Sequence, residues 1–256
     1  MDGIIRGDGE YALLELTEKI GRGEDYHGVD NFAYGDPLTG RLVQNPLRPA
    51  IKNLESIPHP ATDLFEYQAI IDDHQAVLFH FSRGCPYPCT YCAARTLMLE
   101  YGQSVRYRSV DSAIEEVALT VERYNVRSSS FLWFTDDLFC LNKKWLYEFL
   151  SKYERKIGLP FSCNVRSNLV NDEMFNRMVG AGCKYVMMSI ESGNDYIRNE
   201  VMKRVIPRKQ MFQSFELANR YGLQTCAPVV IGVPFETPEM LEDSIKTVAQ
   251  LHATEY

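Results

Sequence analysis

Ala76-Val77-Leu78-Phe79-His80-Phe81 runs almost directly into Cys85-Pro86-Tyr87-Pro88-Cys89-Thr90-Tyr91-Cys92, and the rest of the chain is interpreted outward from that junction. The apolar run has the length and composition of a buried strand. The segment after it places three cysteines within eight residues, spaced C-x3-C-x2-C. A loop this short can turn three sulfurs toward one point, and its two prolines limit the entropy lost when it closes around a metal. Thiolates suit iron–sulfur clusters or zinc. On a cubane cluster they fill three corners and leave one iron open, the mark of a catalytic rather than a closed structural site. A zinc knuckle needs a fourth ligand, and no Cys or His follows at close spacing; a structural thiol cluster is the other alternative.

Downstream, apolar runs alternate with helical patterns, as in a parallel sheet with crossover helices. The expected strands are 76–81, 130–134, 160–166, 185–190 and 224–231. The expected helices are 110–124, capped by Ser109 or Asp111, 143–153 capped by Asn142, 172–179, 209–221, and a last one opened by Thr237-Pro238. In strand–helix barrels function gathers at the C-terminal strand ends. There the sequence places the cysteines, Asp136-Asp137, Arg166, Glu191-Ser192 and Glu236.

Upstream, Gly7-Asp8-Gly9-Glu10 precedes a helical pattern (Leu13, Leu14, Leu16, Ile20) ended by Gly21 and Gly23. A hairpin is expected next, Asn31–Tyr34 and Arg41–Val43 around Asp36-Pro37-Leu38-Thr39-Gly40. Residues 49–75 read as an extended linker, with His59 between Pro58 and Pro60 and with Leu64, Phe65, Tyr67, Ile70 and Ile71 packing it onto the following domain. A block of this size cannot bury a core alone.

Composition excludes several classes. A net charge of −7 gives no general pull toward nucleic acid or anionic membrane. No run of about eighteen apolar residues is present, and the start lacks the pattern of a signal peptide. Seven cysteines, three clustered and four scattered (Cys140, Cys163, Cys183, Cys226), do not form a disulfide framework. The scattered four read as small buried hydrophobes, and all seven suit a reducing cytoplasm.

The C-x3-C-x-aromatic-C motif, with Tyr91 at the aromatic position, resembles the radical S-adenosylmethionine (radical SAM) superfamily. Ser82-Arg83-Gly84-Cys85-Pro86-Tyr87 resembles its cobalamin-binding branch. The resemblance implies an α/β fold, a partial TIM-type (β/α)6 barrel truncated here after the fifth unit. Residues 1–48 would be the C-terminal remnant of a cobalamin-binding Rossmann-like domain with a hairpin, with Gly7, Gly9 and Glu10 matching its closing turn. Residues 49–75 would be the linker and 76–256 the radical SAM core. The Asp-x-His-x-x-Gly motif that holds the corrin in that branch is absent from this sequence.

By the same resemblance, Cys85, Cys89 and Cys92 would ligate a 4Fe–4S cluster whose open iron is chelated by S-adenosylmethionine. Asp136 and Asp137 would face the methionine amine and Arg166 its carboxylate, while Glu191 and Ser192 would contact ribose and methionine. Val229, Ile231 and Glu236, with Tyr91 through its backbone, would lie along the adenine. The implied activity is reductive cleavage of S-adenosylmethionine to a 5′-deoxyadenosyl radical, with cobalamin-dependent methyl transfer to an unactivated carbon. A methylthiotransferase, a cyclase or rearrangement enzyme, and an iron–sulfur electron carrier are the alternatives. A small-molecule substrate and a reductant such as flavodoxin or ferredoxin are the implied partners.

Overall fold

A computed structural model describes residues 3–36, 38–101, 105–126 and 131–255. Pro37 of the expected turn, Ser130 of the expected second strand and the terminal residues of the expected blocks lie outside the described residues. The core is a five-stranded parallel sheet ordered β4-β7-β8-β9-β10, formed by β4 (Ala76–Phe79), β7 (Phe131–Phe134), β8 (Phe161–Asn164), β9 (Cys183–Met187) and β10 (Gln224–Cys226). Between them run α4 (Val110–Arg123), α5 (Lys143–Lys156), α6 (Asp172–Gly180) and α7 (Arg208–Arg220), and α8 (Pro238–Leu251) follows β10. Glu255 makes a parallel bridge to Cys226 beyond β10.

Four of these five helices start at a side-chain cap. Ser109, Asn142, Asn171 and Thr237 accept from the backbone N–H three residues on, at 3.2, 3.1, 2.9 and 3.4 Å, satisfying donors that a helix N-terminus leaves free. Alternation along the strands buries Val77 and Phe79, Leu132 and Phe134, and Phe161 and Cys163 beneath the helices. Phe79, Phe81, Phe134, Phe139, Phe149 and Tyr153 interlock there. Phe134 stacks on Phe139 at 5.0 Å between centroids and meets Phe149 edge-on at 5.2 Å. Such pairs add about 0.5–1.5 kcal/mol each beyond their buried area. They also pin the segment after β7, where Phe139 N–H donates to Asn164 O.

Before the core, β1 (Gly3–Ile5), β2 (Phe32–Gly35) and β3 (Leu42–Gln44) form an antiparallel sheet with α1 (Glu10–Gly21) beside it, and β2–β3 is the expected hairpin. Besides the shorter strand bounds of β8, β9 and β10 against the expected 160–166, 185–190 and 224–231, three features depart from expectation. Leu13, Leu14 and Ile20 of α1 are exposed, and only Ala12 is buried. The linker is partly helical: α2 (Tyr67–His74) occupies its end, Ile71 is its buried anchor, and Leu64 and Phe65 are exposed. The first strand is shorter, because the chain leaves the sheet after Phe79 and forms β5 (Ser82–Arg83) against β6 (Arg106–Tyr107), with α3 (Ala93–Tyr101) after the cysteine loop.

Candidate functional site

The cysteine loop leaves β5 through Gly84, whose φ of +98° belongs to the left-handed region that glycine tolerates. Cys89 is buried, Cys85 half-buried and Cys92 exposed. Burial first, then Asp137, Cys89 and Cys92, push the Cys85 thiol up, so the three sulfurs lie within electrostatic reach of one another. Among the described residues no three His, Cys, Asp or Glu side chains converge on one metal-ion position. Three thiols on one short loop are a ligand set in which each sulfur can take a different iron of a cluster.

The loop is held from the far side of the sheet. Thr90 N–H donates to Met202 O at 3.0 Å and Thr90 Oγ1 to Val201 O at 2.9 Å. Arg166, buried after β8, lies 3.9 Å over the Tyr87 ring and 3.7 Å from Cys89 Sγ. It also donates to Asn168 Oδ1 and to Arg204 O. The guanidinium is therefore a fixed cation beside a thiol.

Tyr91 OH donates to Glu191 Oε1 at 2.9 Å and accepts from Arg204 Nη1 at 2.8 Å, while Arg204 Nη1 lies 3.2 Å from Glu191. Burial is the first cause holding the Tyr91 hydroxyl well above the ordinary tyrosine range. Arg204 also donates to Ser189 O at 2.6 Å. Its neighbours Lys203 (φ +51°) and Val205 (φ +45°) are both left-handed. For a β-branched valine that is a strained conformation, which the surrounding contacts must maintain.

The two adjacent aspartates have separate tasks. Asp136 is buried and accepts from Phe81 N–H and Ser82 Oγ, and burial raises its pKa. Asp137 is exposed and faces a cavity of about 530 Å³ shared with His80, Cys92, Met98 and the Gly7–Glu10 turn. Ser192 is fully buried, its Oγ 3.3 Å from Ser244 Oγ. Val229 pairs with Glu191 in a parallel bridge. The side chains of Val229 and Ile231 line a different, apolar cavity of about 420 Å³ against α8 and are not brought to the cysteine loop. Glu236 accepts from Gly232 N–H at 2.7 Å, closing its own turn.

Thus Cys89 is joined to Arg166 and Tyr91 to Glu191 by direct contacts, Arg204 links the two pairs, and Asp137 shares a cavity with Cys92. Arg204 escaped the sequence reading because it sits in the loop between β9 and α7 with no strand-end position to mark it. The adjacent Lys203-Arg204 basic dipeptide is its only local signal in the sequence.

An open parallel α/β sheet with a three-thiol loop at the end of its first strand defines a radical SAM core, and the radical SAM superfamily matches residues 79–248. The chain belongs to that superfamily, which implies a 4Fe–4S cluster and S-adenosylmethionine. A Pyrococcus horikoshii protein named as an uncharacterized methyltransferase is 30% identical over 255 residues, covering 98% of this chain and 53% of that protein. The anaerobic magnesium-protoporphyrin IX monomethyl ester cyclase of Rubrivivax gelatinosus is 25% identical over 258 residues, 96% of this chain and 44% of that protein. The chain spans about half the length of these curated relatives. Among solved structures, the radical S-adenosylmethionine methyltransferase TsrM from Kitasatospora setae superposes with a TM-score of 0.76 at 17% identity, over 99% of this chain and 50% of that one. The cobalamin-dependent S-adenosylmethionine radical enzyme OxsB gives 0.71 at 18%, over 96% and 36%. These two likenesses show the shared fold. No helix among the described residues is long and apolar enough to cross a membrane.

Proposed function

We propose that this chain is the core of a radical SAM methyltransferase that uses cobalamin as a second cofactor and methylates an unactivated carbon of a small molecule. The observation that carries the reading is the cavity of about 530 Å³, because Cys92 and Asp137 share its walls with the Gly7–Glu10 turn of the N-terminal block. A cluster-bound reactant and a cofactor held by that block would meet there. The relatives named as methyltransferases, and TsrM and OxsB with their bound cobalamin, favour the same assignment. Residues 1–48, 49–75 and 76–256 then divide as tail of a cobalamin domain, linker and core.

In this reading Cys85, Cys89 and Cys92 would hold the cluster, which would supply the electron for reductive cleavage of S-adenosylmethionine. Flavodoxin or ferredoxin is the reductant. Asp137, exposed to the cavity, accepts hydrogen bonds from the methionine ammonium. Asp136 instead fixes the β4–β5 corner through Phe81 N–H and Ser82. Arg166 holds the loop by stacking on Tyr87 and places its charge beside Cys89. Arg204 orients Glu191 and Tyr91, whose carboxylate and backbone face the ribose and adenine. Ser192, itself held against Ser244, fixes the backbone after Glu191. Adenine contacts come from the backbone of residues 229–231, since Val229 and Ile231 turn their side chains toward α8, and Glu236 shapes the following turn.

The test is anaerobic reconstitution with iron and sulfide, followed by dithionite and S-adenosylmethionine. Iron–sulfur absorbance and release of 5′-deoxyadenosine are expected, both lost in Cys89→Ala. A bound zinc ion, or unchanged cleavage in that variant, would overturn the assignment. The cyclase among the relatives favours ring formation as a second reading; retention of cobalamin by the full-length protein with no methylated product would select it.

A further inference from the structure

We propose that Arg83 is a positioning residue for the cluster loop, set in place by Asp8 and Glu10 of the N-terminal block. This rests on the cluster and S-adenosylmethionine reading above and assigns the N-terminal turn a task within it. In the β5–β6 ribbon Arg83 stands directly opposite Arg106. Like charges at facing positions of an antiparallel pair repel, so the ribbon that carries the cysteine loop needs anions from elsewhere.

The Gly7–Glu10 turn supplies them. Asp8 bridges the pair, with Oδ1 2.9 Å from Arg83 Nη1 and Oδ2 2.5 Å from Arg106 Nη1. Glu10, in the first turn of α1, takes both ends of the Arg83 fork, one of them at 3.2 Å. Two carboxylates thus meet two guanidiniums and the charges cancel. Asp8 is nearly buried and is steadied by Ile51 N–H at 2.8 Å, and Arg106 reaches Ile51 O at 2.7 Å. The turn is fixed in its own right, because Asn31 Nδ2 donates to Asp8 O at 2.9 Å.

What this clamp fixes is the stem of the metal loop. Only Gly84 separates Arg83 from Cys85. A Cβ at Gly84 would lie 2.8 Å from Met98 Sδ, so the stem is packed as well as bent. A rotation of Arg83 has one residue in which to dissipate before it reaches a cluster ligand. The clamp therefore transmits the position of the N-terminal block to Cys85, through a bidentate ion pair whose geometry is directional.

The experiment uses the full-length protein, reconstituted anaerobically as wild type, Asp8→Asn, Arg83→Gln and the double variant. It measures iron content, the electron paramagnetic resonance spectrum of the reduced cluster, its midpoint potential, and KM and kcat for 5′-deoxyadenosine release. Expected are wild-type iron content, an altered spectrum and potential, and a KM for S-adenosylmethionine raised about ten-fold in each single variant, with no further rise in the double. Glu10→Gln, which keeps the Asp8 bridge and serves if Asp8→Asn does not fold, should raise KM about three-fold with the same spectral change. Unaltered spectrum, potential and KM in the variants, or additive effects in the double, overturn this proposal alone. A wild type that holds no cluster overturns the underlying reading and this one with it.

Discussion

Replacing Glu116 by Gln should make the protein more stable above neutral pH and leave it nearly unchanged in acid. Glu116 lies on the inner side of α4 with its side chain 8% exposed, and its Oε2 has no hydrogen-bond partner. Burial outweighs the attraction of Arg108, 3.9 Å away, and pushes its carboxyl from the ordinary 4.5 up to about 7. Between those values the folded state binds a proton that the unfolded state has released, so stability falls as pH rises through this window and then levels off. At about 1.36 kcal/mol per pH unit the ceiling is about 3 kcal/mol, and relaxation around a partly hydrated carboxylate brings the expected gain to about 1–2 kcal/mol. For a chain of this length that is roughly 3–6 °C in Tm. Gln mimics the protonated acid, and Arg108 keeps its bonds to Ile57 O and Pro58 O, both at 3.0 Å. Thermal unfolding of wild type and E116Q at pH 5 and pH 8 checks this. A variant no more stable at pH 8, or a difference independent of pH, would refute the burial argument.

Gly193→Ala should unfold the docking of α8 or prevent folding. An added Cβ would sit 2.4 Å from Asp243 O and 2.6 Å from Ser244 Cα, backbone that cannot swing aside; a loss above about 3 kcal/mol is expected in denaturant titration. Phe235→Gly should stabilise by about 0.5–1 kcal/mol, since Phe235 is 74% exposed at φ +70° and little packing is lost. A raised Tm checks it.

The core was legible because its signals are local. Strand–helix alternation, the caps at Ser109, Asn142 and Thr237, and the cysteine spacing need no distant partner to be interpreted. What failed depended on partners far along the chain. β10 ends at Cys226 rather than Ile231 because the chain then passes Pro228, which has no N–H to donate, and its carbonyl is taken by Ile190 and Glu191. α2, inside the expected linker, is the exception with a local cause: the prolines stop at Pro60, leaving Tyr67–His74 free to coil. In the site, Cys85, Cys89 and Cys92 were marked by spacing, whereas Arg204 becomes visible only when Tyr91 and Glu191, 100 residues apart, are brought together. Asp136 and Asp137 are chemically alike in sequence, and only the fold beyond the end of β7 sends one into the core, against Phe81 and Ser82, and the other into the cavity.

The two bonds from Thr90 to Val201 and Met202 have a mechanical consequence. The cysteine loop follows β4, an edge strand of the sheet, and β5, yet is moored to the segment following β9, with β7 and β8 lying between. It works as a tie-rod laid across the mouth, loaded from both banks. Any flexing of the sheet that widens or narrows that mouth must therefore either strain these two bonds or carry the cysteine loop with it.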